Sequence, residues 1–104
     1  MTVLKAFFDE SYLVPNPVAP AADGLSLCPY VGPPLAIGGE LDKLAWNIAM
    51  GRNFAGIHWR SDAAGGLDLG ERVAVAVLRE MKLTGNELFA GFSLRRFNGS
   101  RLTV

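Results

Sequence analysis

The chain has 104 residues, of which 50% are hydrophobic and 19% charged, so it can build a core and is not a disordered tail. Ten basic residues balance ten acidic ones, which leaves no electrostatic footprint for nucleic acid or an anionic membrane. The lone cysteine, Cys28, excludes an intrachain disulfide and any cysteine-clustered metal site. The longest apolar run, Val73 to Leu78, falls far short of the roughly 18–20 residues that span a bilayer, so no membrane span is expected. Lys5, Asp9 and Glu10 break the apolar N-terminal stretch, which does not read as a signal peptide and leaves the compartment open.

In chain order, Val3 to Tyr12 places Leu4, Phe7 and Phe8 at helical spacing and reads as the last turns of a helix, with only Thr2 available as a cap. All six prolines (15, 17, 20, 29, 33 and 34) lie in residues 14–39. That distribution predicts a long irregular loop without a long helix or a central strand. Its apolar residues, among them Leu25, Leu27 and Val31, suggest that it packs on a larger body.

Residues 40–83 read as two helices. Gly38 and Gly39 end the loop, and Glu40 and Asp42 suit a helix start. Leu41, Leu44, Ala45 and Ile48 form the expected buried stripe. One further turn reaches Arg52, which on a buried side needs a partner. The second helix starts near Trp59 or Ser61, or at Asp68 with Glu71 closing a capping box, and runs to Lys82. Leu69, Val73, Ala76, Val77 and Glu80 describe one side of it. Gly66, Gly70 and Ala74 recur every fourth residue on another, where a second helix can approach closely. Gly85 and Asn86 end it. In residues 92–104, Asn98-Gly99 predicts a two-residue turn pairing Ser93–Phe97 with Ser100–Val104.

The one constellation with chemical logic is Arg52, His58 and Asp62. Arg52 offers a rigid fork of donors suited to an oxyanion. His58, the only histidine, can be nucleophile, ligand or acid–base. Asp62 follows it by four residues, one helical turn on, where a carboxylate can accept the far ring N–H and fix the tautomer. The same three residues also fit a salt-bridged helix turn without chemistry.

Arg52, five residues, His58, three residues, Asp62 resembles the third signature of the superfamily that unites vanadium-dependent haloperoxidases, bacterial acid phosphatases and type 2 phosphatidic acid phosphatases. Ala55-Gly56-Ile57-His58-Trp59-Arg60-Ser61-Asp62, Leu69-Gly70-Glu71 and Phe89-Ala90-Gly91-Phe92 resemble the bacterial haloperoxidase-like branch. The resemblance implies a mainly α fold: part of a helical bundle of the haloperoxidase/acid phosphatase type, with the Pro-rich loop and a C-terminal hairpin. It also implies that Arg52 binds non-bridging oxygens of vanadate, or of phosphate in the phosphatase alternative. His58 would be the axial ligand of vanadium or the phosphorylated nucleophile, and Asp62 would orient it. In the implied reaction vanadate, a Lewis acid of constant oxidation state, activates hydrogen peroxide for attack by halide.

Three features depart from the family pattern. Gly51 stands where the phosphatases usually carry serine before the arginine, which favours the haloperoxidase side. The first signature, a lysine and an arginine, has no counterpart upstream of Arg52, where Lys5 stands alone. The second, Pro-Ser-Gly-His, is absent because His58 is the only histidine, although Thr2–Phe8 resembles the helix that follows it. The chain is therefore expected to be a C-terminal fragment that is inactive alone, binds no vanadate tightly and exposes apolar surface. A complementing chain, self-association, or a non-catalytic helical interaction module are its alternatives.

Overall fold

The computed structural model describes residues 1–85 and 88–104. Helix α1 (Thr2–Phe7) is followed by a two-stranded ribbon, β1 (Val18–Pro20) and β2 (Leu27–Pro29), and by helices α2 (Ile37–Phe54) and α3 (Arg60–Thr84). A C-terminal hairpin of β3 (Ser93–Arg95) and β4 (Arg101–Thr103) closes the chain. The chain is mainly α, and each helix touches the other two. No helix among the described residues is long and apolar enough to cross a membrane.

Helix α1 is shorter than its spacing suggested. Phe8 is already extended, because the Asp9 carboxylate accepts the Ser11 N–H and hydroxyl and turns the chain out of the helix. The Pro-rich stretch is not wholly irregular either. Its ribbon pairs Val18 with Pro29, Ala19 with Cys28 and Pro20 with Leu27, so both prolines sit at strand ends, where a missing donor costs least. The Val14 N–H, bonded to the Leu35 carbonyl at 2.8 Å, closes the ribbon's base.

Helix α2 begins three residues earlier than expected, with Gly38 and Gly39 inside its first turn. No side chain caps it. Instead, the first N–H groups bond to distant carbonyls: Ile37 to Tyr12 and Gly38 to Glu10, each at 3.0 Å. A Cβ on Gly38 would lie 2.9 Å from the Glu10 Cβ, so glycine permits the approach that starts the helix. Helix α3 runs unbroken for 25 residues, about 37 Å, through Gly65 and Gly66. It starts at Arg60 and not at Asp68. It ends with the Gly85 N–H on the Met81 carbonyl; Asn86 lies outside the described residues.

The apolar core is small. Val75 and Leu78 of α3 meet Leu94 and Val104 of the hairpin, with Ala6, Phe92 and Leu102 around them. The hairpin register differs from the two-residue-turn expectation by one residue. Leu94 faces Leu102, and the Arg96 N–H bonds to the Ser100 carbonyl, leaving a three-residue loop. Gly99 alone takes positive φ there, whereas the two-residue type I′ turn needs it at both central positions. Asn98 instead accepts the Ser100 N–H on its own side chain. A one-residue slip reverses which side chains face inward, and the observed register is the one that sets Leu94 and Leu102 side by side on the core.

Two buried ionic clamps set the helices. The Lys5 ammonium, 1% exposed, donates to both Asp42 oxygens at 2.9 and 3.1 Å and lies 3.5 Å from Glu10. Glu10 in turn accepts the Arg95 N–H, joining α1, α2 and the hairpin. Glu71, expected as a capping residue, is buried instead and accepts Arg96 Nε at 2.9 Å and the Phe97 N–H at 2.7 Å. Removing one member of such a pair strands the other. Glu71→Ala is expected to lower the unfolding free energy by about 2–4 kcal/mol, read as a lower urea midpoint. The exposed Glu80→Ala, on the same helix, should change it by less than about 0.5 kcal/mol.

Candidate oxyanion site

Arg52 lies in the last turn of α2, His58 in the connecting turn and Asp62 in the first turn of α3. The connection is a Schellman motif: the Ile57 N–H bonds to the Arg52 carbonyl at 3.2 Å and the Gly56 N–H to the Asn53 carbonyl at 2.9 Å. Gly56 takes φ +72° at the position that demands it. The five residues between Arg52 and His58 are thus two residues of helix and a tight reversal, which return the chain so that both side chains line one pocket. In the sequence Gly56 enters the motif without a role of its own. The signal that would have found its role is a glycine just beyond the last periodic residue of a helix.

The pocket is open, about 270 Å³, and its walls carry Arg52, His58 and Asp62 beside Ile48, Ala49 and Leu67. His58 Nδ1 lies 3.6 Å from Asp62 Oδ2, and both side chains are 49% exposed. That separation exceeds a hydrogen bond. The same Asp62 oxygen accepts the Trp59 N–H at 3.0 Å, which caps α3 and holds the carboxylate beside the histidine ring. Arg52 is exposed and makes no ion pair or side-chain hydrogen bond among the described residues. The expectation that it lies on a buried side with a partner does not hold. The stripe leading to it is largely open: Ala45 is buried, Leu41 is partly buried, and Leu44 and Ile48 are exposed.

Beside Arg52, Asn53 Oδ1 is buried without a hydrogen-bond partner among the described residues. A donor to it would offset a penalty of about 1–3 kcal/mol. Among the described residues no three His, Cys, Asp or Glu side chains converge as a cation site. The pocket's chemistry is that of a donor wall: a free guanidinium fork and an imidazole, with a carboxylate behind the imidazole.

No protein-family model matches the chain. Curated relatives do. The vanadium-dependent bromoperoxidases of Corallina officinalis and Corallina pilulifera are each 42% identical over 106 residues, covering 100% of this chain and 17% of theirs. That of Ascophyllum nodosum is 39% identical over 115 residues, covering 99% of this chain and 20% of its own. Identity of this order along the whole chain makes it a haloperoxidase-type sequence. The chain belongs to the vanadium-dependent haloperoxidase family and spans 17–20% of the length of these relatives.

Because Gly56 sets the reversal, Gly56→Ala is expected to cost about 1–2 kcal/mol and to move the His58 ring resonances in NMR spectra. Arg52→Ala, which removes no ion pair or side-chain hydrogen bond among the described residues, should leave the unfolding free energy within about 0.5 kcal/mol of the parent.

Proposed function

We propose that Arg52, His58 and Asp62 form one wall of a vanadate site in a haloperoxidase-type protein that oxidises halide with hydrogen peroxide. The wall alone does not turn over. The observation that carries this is that Arg52 and His58 line a single pocket while, among the described residues, Arg52 makes no ion pair or side-chain hydrogen bond and His58 faces only Asp62. An exposed arginine with no structural task, held at fixed spacing from the sole histidine by a Schellman turn, has a positioned donor's geometry. The vanadium-dependent bromoperoxidase relatives support vanadate over phosphate as the oxyanion, and so does Gly51 in place of serine.

The residues present fit part of such a group. Arg52 presents up to five N–H donors to non-bridging oxygens. With Nδ1 turned toward Asp62, His58 keeps Nε2 for the central atom. Asp62 orients the ring, and the 3.6 Å separation must shorten to become a hydrogen bond, as commonly happens when an unloaded site fills. When bound, vanadate supplies a Lewis-acid centre that activates peroxide. The three side chains are formally neutral together with His58 uncharged, whereas a multiply charged oxyanion needs several convergent donors. We assign those further donors to polypeptide outside these 104 residues.

The test is a graft of this chain in place of the matching 106 residues of the Corallina officinalis bromoperoxidase. The graft is expected to brominate monochlorodimedone with peroxide and vanadate. Arg52→Ala should reduce kcat by about 10²–10³ and His58→Ala should abolish turnover, while the isolated chain shows none. Robust bromination by the isolated chain, or by the His58→Ala graft, overturns the proposal.

A further inference from the structure

At the other end of α2 from Arg52, about 21 Å along the helix at 1.5 Å per residue from Gly38, the chain forms a second polar pocket. Its volume is about 390 Å³, and three segments distant in sequence wall it: the turn at Phe8 and Asp9, the start of α2 at Gly39, and the hairpin face that carries Arg95 and Arg101. That face is turned away from the core, since Leu94 and Leu102 occupy the opposite one. Arg95 and Arg101 are direct partners across the two strands, a like-charge arrangement that costs stability unless an opposite charge answers it. Among the described residues no carboxylate does so. Glu10 spends its oxygens on the Arg95 backbone N–H and on Lys5, and Asp42 gives both of its own to Lys5. The Arg95 guanidinium reaches only the Gly99 carbonyl, at 3.4 Å; Arg101 makes no ion pair or side-chain hydrogen bond among the described residues. Asp9 makes no ion pair among them either, and one of its oxygens accepts the Ser11 N–H and hydroxyl. Those bonds hold its carboxyl below the usual carboxylate range, so it is ionised at neutral pH.

We propose that this pocket binds a small zwitterion of the amino-acid type, with its carboxylate on the paired guanidinium groups of Arg95 and Arg101 and its ammonium on Asp9. Charge decides the class. Lys5, Arg95 and Arg101 balance Asp9, Glu10 and Asp42, so a simple anion would leave an unanswered charge beside Asp9, whereas a zwitterion adds none. A planar guanidinium fork matches a carboxylate with two parallel hydrogen bonds. Phe8, 58% exposed, offers the ligand's carbon atoms an apolar wall. The Lys5–Asp42 and Glu10–Arg95 contacts fix all three walls beforehand, so little ordering opposes binding. The pocket stands apart from the Arg52–His58 wall, and its occupant does not depend on the function proposed for that wall.

Titration of the 104-residue chain with glycine, followed through the NMR signals of the arginine Nε–H groups and the Ser11 N–H, tests this. Glycine is expected to shift the Arg95 and Arg101 signals saturably. Arg101→Gln and Asp9→Asn should each weaken binding by about tenfold or more. Acetate and methylammonium, which carry one charge each, should bind at least about tenfold more weakly than glycine. Both substituted residues are exposed, and unchanged Leu94 and Leu102 methyl signals show that the variants fold. Glycine shifts that never saturate, or that saturate as readily in Arg101→Gln and Asp9→Asn as in the parent, overturn the proposal. Acetate that binds as tightly as glycine also overturns it, since the pocket is then a plain anion site.

Discussion

A single ammonium group taken out of water holds this chain together. Lys5 is buried against both oxygens of Asp42, with Glu10 at its flank and the Phe97 ring 5.3 Å away. Alone, its charge would be costly to bury. Here it draws α1 onto α2, and Glu10 carries the connection on to the backbone of the C-terminal hairpin. Phe97 also ties this clamp to the second one, since its N–H is held by Glu71 of α3. With an apolar core of only a few side chains, these directional contacts rather than apolar bulk decide how the helices sit. The clamps set what packs behind α2 and α3, the two helices that the site's turn connects.

The site itself needs little internal support. A Schellman reversal and a carboxylate cap define where Arg52, His58 and Asp62 lie, and both are local. Local construction explains how an exposed, open wall keeps its spacing without burial. Short-range structure positions three side chains, whereas oxyanion chemistry asks for convergence from several directions. The apolar faces left open along α2 and α3 belong to the same picture.

Elements whose cause is local were legible in the sequence. The 3.6-residue pattern of α3, its stop at Gly85 and the presence of a C-terminal hairpin all follow from neighbouring residues. The type and spacing of the site residues were legible too, and family resemblance gave them meaning. What escaped depends on distant partners. Gly38-Gly39 reads as a breaker until the carbonyls of Glu10 and Tyr12 take the helix's first donors. The hairpin slips by one residue because Asn98 bonds to its own turn and the core needs Leu94 beside Leu102. The Lys5–Asp42 pair escaped because its members lie 37 residues apart. Arg52 was placed on a buried side by a periodicity whose own stripe is open, since Leu44 and Ile48 are exposed.

Arg52 and His58 are proposed to act together on an oxyanion. Nitrogen-detected NMR of the His58 imidazole during a vanadate titration of the chain tests it most directly. A weak, saturable shift of the Nε2 signal is expected, lost in Arg52→Ala while the fold persists. An Nε2 signal that never moves, or one that moves equally without Arg52, contradicts it.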